Sequence, residues 1–178
     1  MQVPNSIINL NSENLQSPKV NPTEEFRGAL FALLEKVCDP EVPVLSILDL
    51  GIVRDVKMNN DEVEVIITPT YSGCPAMDAI SMDIRFKLIE YGYRNIKITQ
   101  VLTPVWTTDW MTEAGKEKLK AYGIAPPKFS KDLSDSMPEC PQCKSADTKL
   151  LSQFGSTACK ALYQCNDCKE PFDYFKCH

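Results

Sequence analysis

The chain has 178 residues, a 43% hydrophobic share and a formal charge of −5, with a sequence pI near 5.0. That is room for one ordinary domain and a small appendage, and the acidic balance argues against a nucleic-acid binder, which carries a basic patch. The single histidine is the last residue, His178, which argues against a Ser-His-Asp or Cys-His nucleophile and a two-histidine iron site.

Residues 1–20 are rich in Asn and Ser and read as a mobile arm, within an N-terminal segment spanning 1–21. They show no basic start followed by an apolar run, and no stretch of the chain reaches bilayer length, so the expectation is a cytoplasmic protein with no membrane partner. A helix is predicted from Asn21 as N-cap, Pro22 at its first position and Glu24 three residues after the cap. Phe26, Leu30, Leu33, Leu34 and Val37 make its apolar face. Pro40 and Pro43 then stiffen a loop over residues 39–51.

Residues 52–58 and 62–68 read as a hairpin, with Val63, Val65 and Ile67 alternating toward one side. A second helix follows Cys74, with Met77, Ile80, Ile84, Leu88 and Tyr91 as its stripe and Gly92 as its stop. A third strand is predicted at 95–102 and a charged helix at 112–122. The order αββαβα implies an α+β domain over 22–124, a small sheet of about three strands covered by helices. Residues 125–138, with Pro126, Pro127 and Pro138, read as a spacer that leaves the tail separable.

The tail, residues 139–178, contains six of the eight cysteines. Two knuckles, Cys140-Pro-Gln-Cys143 and Cys165-Asn-Asp-Cys168, are 21 residues apart. Cys-x-x-Cys pairs at such a separation bring four thiolates to a tetrahedral metal, and a segment this short needs the ion to complete its folding. Zn²⁺ is the first choice; iron in a rubredoxin-like site uses the same sulfurs, and an oxidising compartment would instead make disulfides. The tail is expected to be a small β-rich zinc ribbon. Its five lysines are balanced by five acidic residues, so it lacks the electrostatics of a nucleic-acid-binding ribbon. Cys159 is either packed or part of an alternative ligand set, Cys177 and His178 are candidate substitutes, and Lys144 stands where such turns usually place glycine.

In the larger domain Cys74 is the thiol of interest. It lies between Gly73 and Pro75 at a helix start, where orphan N–H groups and the dipole favour a depressed pKa and thiolate chemistry. A buried, inert side chain is the competing reading. A cluster at Cys74 needs further ligands, most simply Cys74 of a second subunit in a homodimer. Cys38 reads as packed. Asp39, Glu41 and Asp49 are either functional carboxylates or caps, and Trp106 and Trp110 either core residues or interface anchors.

The runs DPEVP at 39–43, DLGIV at 49–53 and TYSGCP at 70–75 resemble the carrier domain of iron–sulfur assembly factors. Together with WTTDWMTEAG at 106–115, FGSTACKALY at 154–163 and EPFDYFKCH at 170–178, the chain resembles the family of D subunits of phenylacetyl-CoA epoxidase systems over residues 22–178. The resemblance implies a role in aerobic phenylacetate catabolism, as an accessory or maturation factor rather than the oxygenase. The residues agree: no Glu-x-x-His helix motif for di-iron and no dinucleotide fingerprint is present. It further implies a transient iron–sulfur or iron ligand at Cys74, with Asp39, Glu41 and Thr70 in the loop around it, and other epoxidase subunits as partners, with the ribbon as docking module. The alternative is a non-catalytic scaffold of the same complex with no metal at Cys74. A catalytic thiol is disfavoured because no general base accompanies it.

Overall fold

The computed structural model describes residues 24–127 and 137–176. The predicted arm and the Asn21–Pro22 cap, most of the spacer, and Cys177 and His178 lie outside the described residues. The first unit runs α1 (Glu24–Leu34), β1 (Val53–Asn59), β2 (Glu62–Ile67), α2 (Ala76–Glu90), β3 (Asn95–Gln100) and α3 (Glu113–Ala121), with a single 3₁₀ turn at Thr108–Trp110. This is the predicted αββαβα order.

β1 and β2 pair antiparallel, turning through Asn60 at φ 59°, while β3 joins β2 in parallel after α2 crosses over. The alternation in β2 holds: Val63, Val65 and Ile67 are fully buried, and Glu64 on the opposite face pairs with Lys97 at 3.0 Å. Leu30, Leu34 and Val37 from α1 and its exit meet Ile80, Ile84 and Leu88 of α2 in the same core. Tyr91, predicted in the α2 stripe, is instead exposed. It caps the helix, and Gly92 turns the chain away at φ +95°. Thr112 caps the start of α3, its hydroxyl accepting the Gly115 N–H at 2.9 Å.

The loop between α1 and β1 is built on side-chain caps. Asp39 Oδ1 accepts from the N–H groups of Glu41 and Val42 at 2.7 and 2.8 Å. Asp49 accepts from Ser46 N–H and hydroxyl, from Thr112 Oγ1 and from Lys118 Nζ, the last at 2.6 Å. Burial alone would raise the Asp49 carboxyl, but Lys118, Ser46 and Thr112 together hold it below its usual range. Asp49 is thus a structural clamp between loop and α3. Gly51 is obligatory here: φ is +67°, and a Cβ would come within 2.3 Å of the Trp110 carbonyl oxygen.

A second sheet, in the order β4-β7-β6-β5, contains β4 (Ile124–Ala125), β5 (Thr148–Ser152), β6 (Lys160–Cys165) and β7 (Pro171–Phe175). Ala125, expected at the head of the spacer, is in fact strand, opposite Tyr174. The expectation of a separable tail meets a shared core. Ile124, Cys159 and Phe175 are buried in the same cluster as the helices of the first unit, and Trp106 packs edge-on against Phe175 with centroids 6.4 Å apart. Trp106 is 1% exposed and donates Nε1–H to the Leu50 carbonyl at 2.8 Å. It is a core residue that also anchors the ribbon. The spacer's composition could not show this, because the covering residues lie about 50 positions downstream.

Candidate functional site

Two sets of sulfur emerge. The first is the ribbon tetrad. One knuckle precedes β5 and the other forms the β6–β7 turn, and hydrogen bonds from Asn166 tie them together: N–H to the Asp147 carbonyl at 2.8 Å, Nδ2 to its Oδ1 at 2.7 Å. Within each knuckle the residue after the second cysteine is left-handed, Lys144 at φ 66° and Lys169 at φ 67°. Each lysine ammonium then turns back onto a carbonyl of its own knuckle, Pro141 for Lys144 and Asn166 for Lys169. The strain expected at Lys144 therefore has a twin at Lys169.

The Sγ atoms of Cys140, Cys143, Cys165 and Cys168 all lie within 4.8 Å of one another, with Cys140–Cys168 at 3.7 Å and Cys143–Cys165 at 3.5 Å. Four sulfurs around a tetrahedral Zn²⁺ at about 2.3 Å stand about 3.8 Å apart, so this donor set fits such an ion. Charge points the same way. An N–H from Cys168 leads in pulling the Cys165 thiol down to about 7. At Cys168 an N–H from Glu170 lowers the thiol, but burial and the neighbouring sulfurs outweigh it and push it up to about 12. Four thiolates this close cannot all ionise without a cation among them.

The second set surrounds Cys74. Cys74 lies two residues before α2, just ahead of the N-cap Pro75; its sulfur is half-buried against the main core and receives hydrogen bonds from the Ala76 N–H and the Thr70 hydroxyl. The expected depressed pKa is not found. Burial raises the thiol, and the Glu41 and Asp39 carboxylates add to it, outweighing the Ala76 and Thr70 bonds. Helix-start logic is local; the carboxylates come from a loop more than 30 residues earlier. No close backbone approach requires the glycine at 73, since a Cβ there would meet only the Tyr71 ring at 3.9 Å.

Asp39, Glu41 and Thr70 all influence the Cys74 thiol, with different duties. Asp39 is consumed in capping its own turn, whereas the Glu41 carboxylate reaches across to the ribbon. There the Cys159 thiol donates to Glu41 Oε2 at 3.6 Å, and Thr157 Oγ1 lies 3.0 Å from the same sulfur. Burial, first of all, pushes Cys159 up to about 11. Tyr71 is raised by burial and then by Cys74, Glu41, Cys159 and Asp39, so all four lie within electrostatic reach of one phenol. Cys159 stands outside the tetrad. Cys38, expected to pack, is exposed, because the chain leaves α1 and opens a bridge to Ser46 at that point. Among the described residues, no helix is long and apolar enough to cross a membrane.

Comparison with known proteins separates the same two units. The model described as an iron-sulfur cluster assembly protein matches residues 27–91, and that of the PaaD zinc beta ribbon domain matches residues 124–176. The putative D subunit of the 1,2-phenylacetyl-CoA epoxidase of Escherichia coli (strain K12) is 49% identical over 83% of this chain and 91% of its own length. The chain belongs to the PaaD family.

A second relative of this PaaD-family chain, "Fe-S protein maturation auxiliary factor" from Porphyromonas gingivalis (strain ATCC BAA-308 / W83), is 37% identical over 58% of the chain and 91% of its own length. A solved structure of a domain of unknown function, DUF59, from Bacillus anthracis superposes with a TM-score of 0.50 at 32% identity. It covers 54% of this chain and 92% of that one, which supports the α+β fold. The ribbon match begins at residue 124, where β4 begins, and not after the prolines that marked the spacer.

Proposed function

We propose that this chain is an accessory subunit of a phenylacetyl-CoA epoxidase system in phenylacetate catabolism. It assists maturation by holding iron or an iron–sulfur cluster at Cys74 as cargo for an epoxidase component. The observation that carries this reading is the placement of Cys74: a half-buried thiol, bonded by Ala76 and Thr70 and facing Glu41, at the end of a loop in the assembly-type unit. The relatives' names support it, one a putative epoxidase subunit and the other a maturation factor. Its partners are then the other epoxidase subunits.

The raised pKa fits a carrier. A thiol kept protonated at neutral pH is a poor nucleophile and resists oxidation, yet releases its proton when a metal competes for the sulfur. Cys140, Cys143, Cys165 and Cys168 hold the resident ion, for which Zn²⁺ is the reading in line with the ribbon model. That ion would add metal–thiolate bonds to the small core that Cys140, Cys165 and Phe172 form in the ribbon. The same protonated state also favours the second reading, a scaffold subunit in which Cys74 carries nothing. Maturation of the epoxidase in the presence of the Cys74→Ser chain separates the two. The carrier reading predicts an iron-poor, weakly active epoxidase, and full iron content and activity sink it.

A further inference from the structure

Besides the two-residue β4, three strands lie at sheet edges, β1 and β3 in the first unit and β5 in the ribbon. An open edge offers unpaired backbone N–H and C=O groups, and proteins guard such edges with polar and charged side chains. The exposed residues of β1 are Arg54, Lys57 and Asn59, and those of β3 are Asn95, Lys97 and Gln100. β5 departs from this pattern. Its exposed residues are Lys149, Leu150 and Leu151, the two leucines being 43% and 48% exposed. The register of β5 on β6 shifts between Leu150 and Ser152, which leaves Leu151 with no residue opposite. Phe154 continues the apolar strip at 66% exposure, with the Lys176 ammonium 4.7 Å from its ring centroid. Among the described residues, no strand pairs with the outer side of β5.

Charge selects the occupant. Residues 148–154 contain no acidic side chain, and Lys149 and Lys176 border the strip on a chain whose net charge is −5. A second copy is a poor match, because β5 against β5 brings the same lysines together. The exposed stripe of Met82, Phe86 and Ile89 on α2 is different, since Asp83, Arg85, Lys87 and Glu90 surround it with both signs. We propose that the β5 edge, with Leu150, Leu151 and Phe154, docks an extended apolar segment bearing acidic residues, supplied by an epoxidase component. This deepens, and rests on, the reading of the chain as a subunit of that system, and it names the surface through which the ribbon binds. The segment adds a fifth strand to the ribbon sheet. Its backbone pairs with the open groups of β5, its apolar side chains cover the leucines and the Phe154 ring, and its carboxylates meet Lys149 and Lys176.

The test is calorimetric titration of the zinc-loaded full chain with each purified epoxidase component, with hydrogen exchange mapped on both partners. One component is expected to bind, slowing exchange around residues 148–154 of this chain and in a carboxylate-bearing stretch of the partner. Leu151→Glu is expected to weaken binding about tenfold or more. Lys149→Glu weakens it about threefold or more and flattens its salt dependence, and Phe86→Ser on α2 leaves it unchanged. Zinc content and circular dichroism verify that each variant is folded. If Leu151→Glu fails that check, Lys149→Glu decides alone. Wild-type affinity in a folded Leu151→Glu or in Lys149→Glu, or loss of binding in Phe86→Ser alone, overturns the docking edge and leaves the subunit reading intact. So does β5 protection that grows with the concentration of this chain by itself, the mark of self-pairing. Binding to none of the components overturns the subunit reading.

Discussion

In the knuckles four sulfurs crowd within 4.8 Å of one another, drawn from two turns of one small sheet. In the seam the Cys159 thiol of the ribbon meets the Glu41 carboxylate of the first unit at 3.6 Å, and the same carboxylate bears on Cys74. The first arrangement holds its donors together through local hydrogen bonds and cannot discharge its mutual repulsion without an ion. The second keeps its thiols protonated, and its geometry depends on how two units pack. The proposed division between a resident ion and a released cargo is thus matched to local and non-local construction.

The contrast breaks most visibly if the tetrad is emptied. Chelation, or Cys140→Ser, removes a metal contribution on the order of 10 kcal/mol and melts β5–β7. Because Phe175 and Cys159 are part of the main core, the loss is expected to reach the first unit and shift the emission of Trp106. Unchanged emission with an unfolded ribbon would mean the units are independent. A milder version is Phe175→Ala, which opens the face of Trp106 and costs about 3 kcal/mol or more. Calorimetry should then show the ribbon and first unit losing stability together.

Asp49→Asn is smaller still. It removes charge-assisted bonds to Lys118 and Ser46 that hold the loop bearing Glu41, about 2 kcal/mol. The folded pKa of Asp49 lies below its ordinary 3.8, so its contribution is complete at neutral pH. It is lost as pH falls below the unfolded value and through the folded one. Denaturant midpoints measured from pH 7 to pH 2 should lose part of their acid sensitivity in the variant. The gentlest comparison is of reactivity. At neutral pH iodoacetamide should modify exposed Cys38 well before Cys74, whose burial and carboxylate neighbours disfavour the thiolate. Mass mapping that found Cys74 first would contradict the protonated state.

Legibility in sequence followed the same divide. The tetrad could be read because Cys-x-x-Cys encodes its geometry in spacing, and the β2 alternation and the α2 stripe are equally local. The seam could not: Cys159 looked surplus because its partner, Glu41, is 118 residues away, and no periodicity links them. Separation along the chain likewise hid the packing of Phe175 on Trp106 and made the proline-rich stretch look like a true spacer. At Cys74 the local rule for helix starts gave the wrong sign, because burial and carboxylates from another loop outweigh two hydrogen bonds. Lys169 was overlooked although the rule applied to Lys144 covers it equally.

A resident ion in the tetrad and a transient iron at Cys74, as proposed, can be told apart in a single sample. Metal analysis of the anaerobically iron-loaded full chain, before and after brief exposure to a mild chelator, does so. Iron is expected to leave within the exposure while zinc stays at one per chain, and Cys74→Ser is expected to keep the zinc but never acquire the iron. Iron retained alongside zinc loss, or equal iron in Cys74→Ser, would contradict the division between a permanent site and a releasing one.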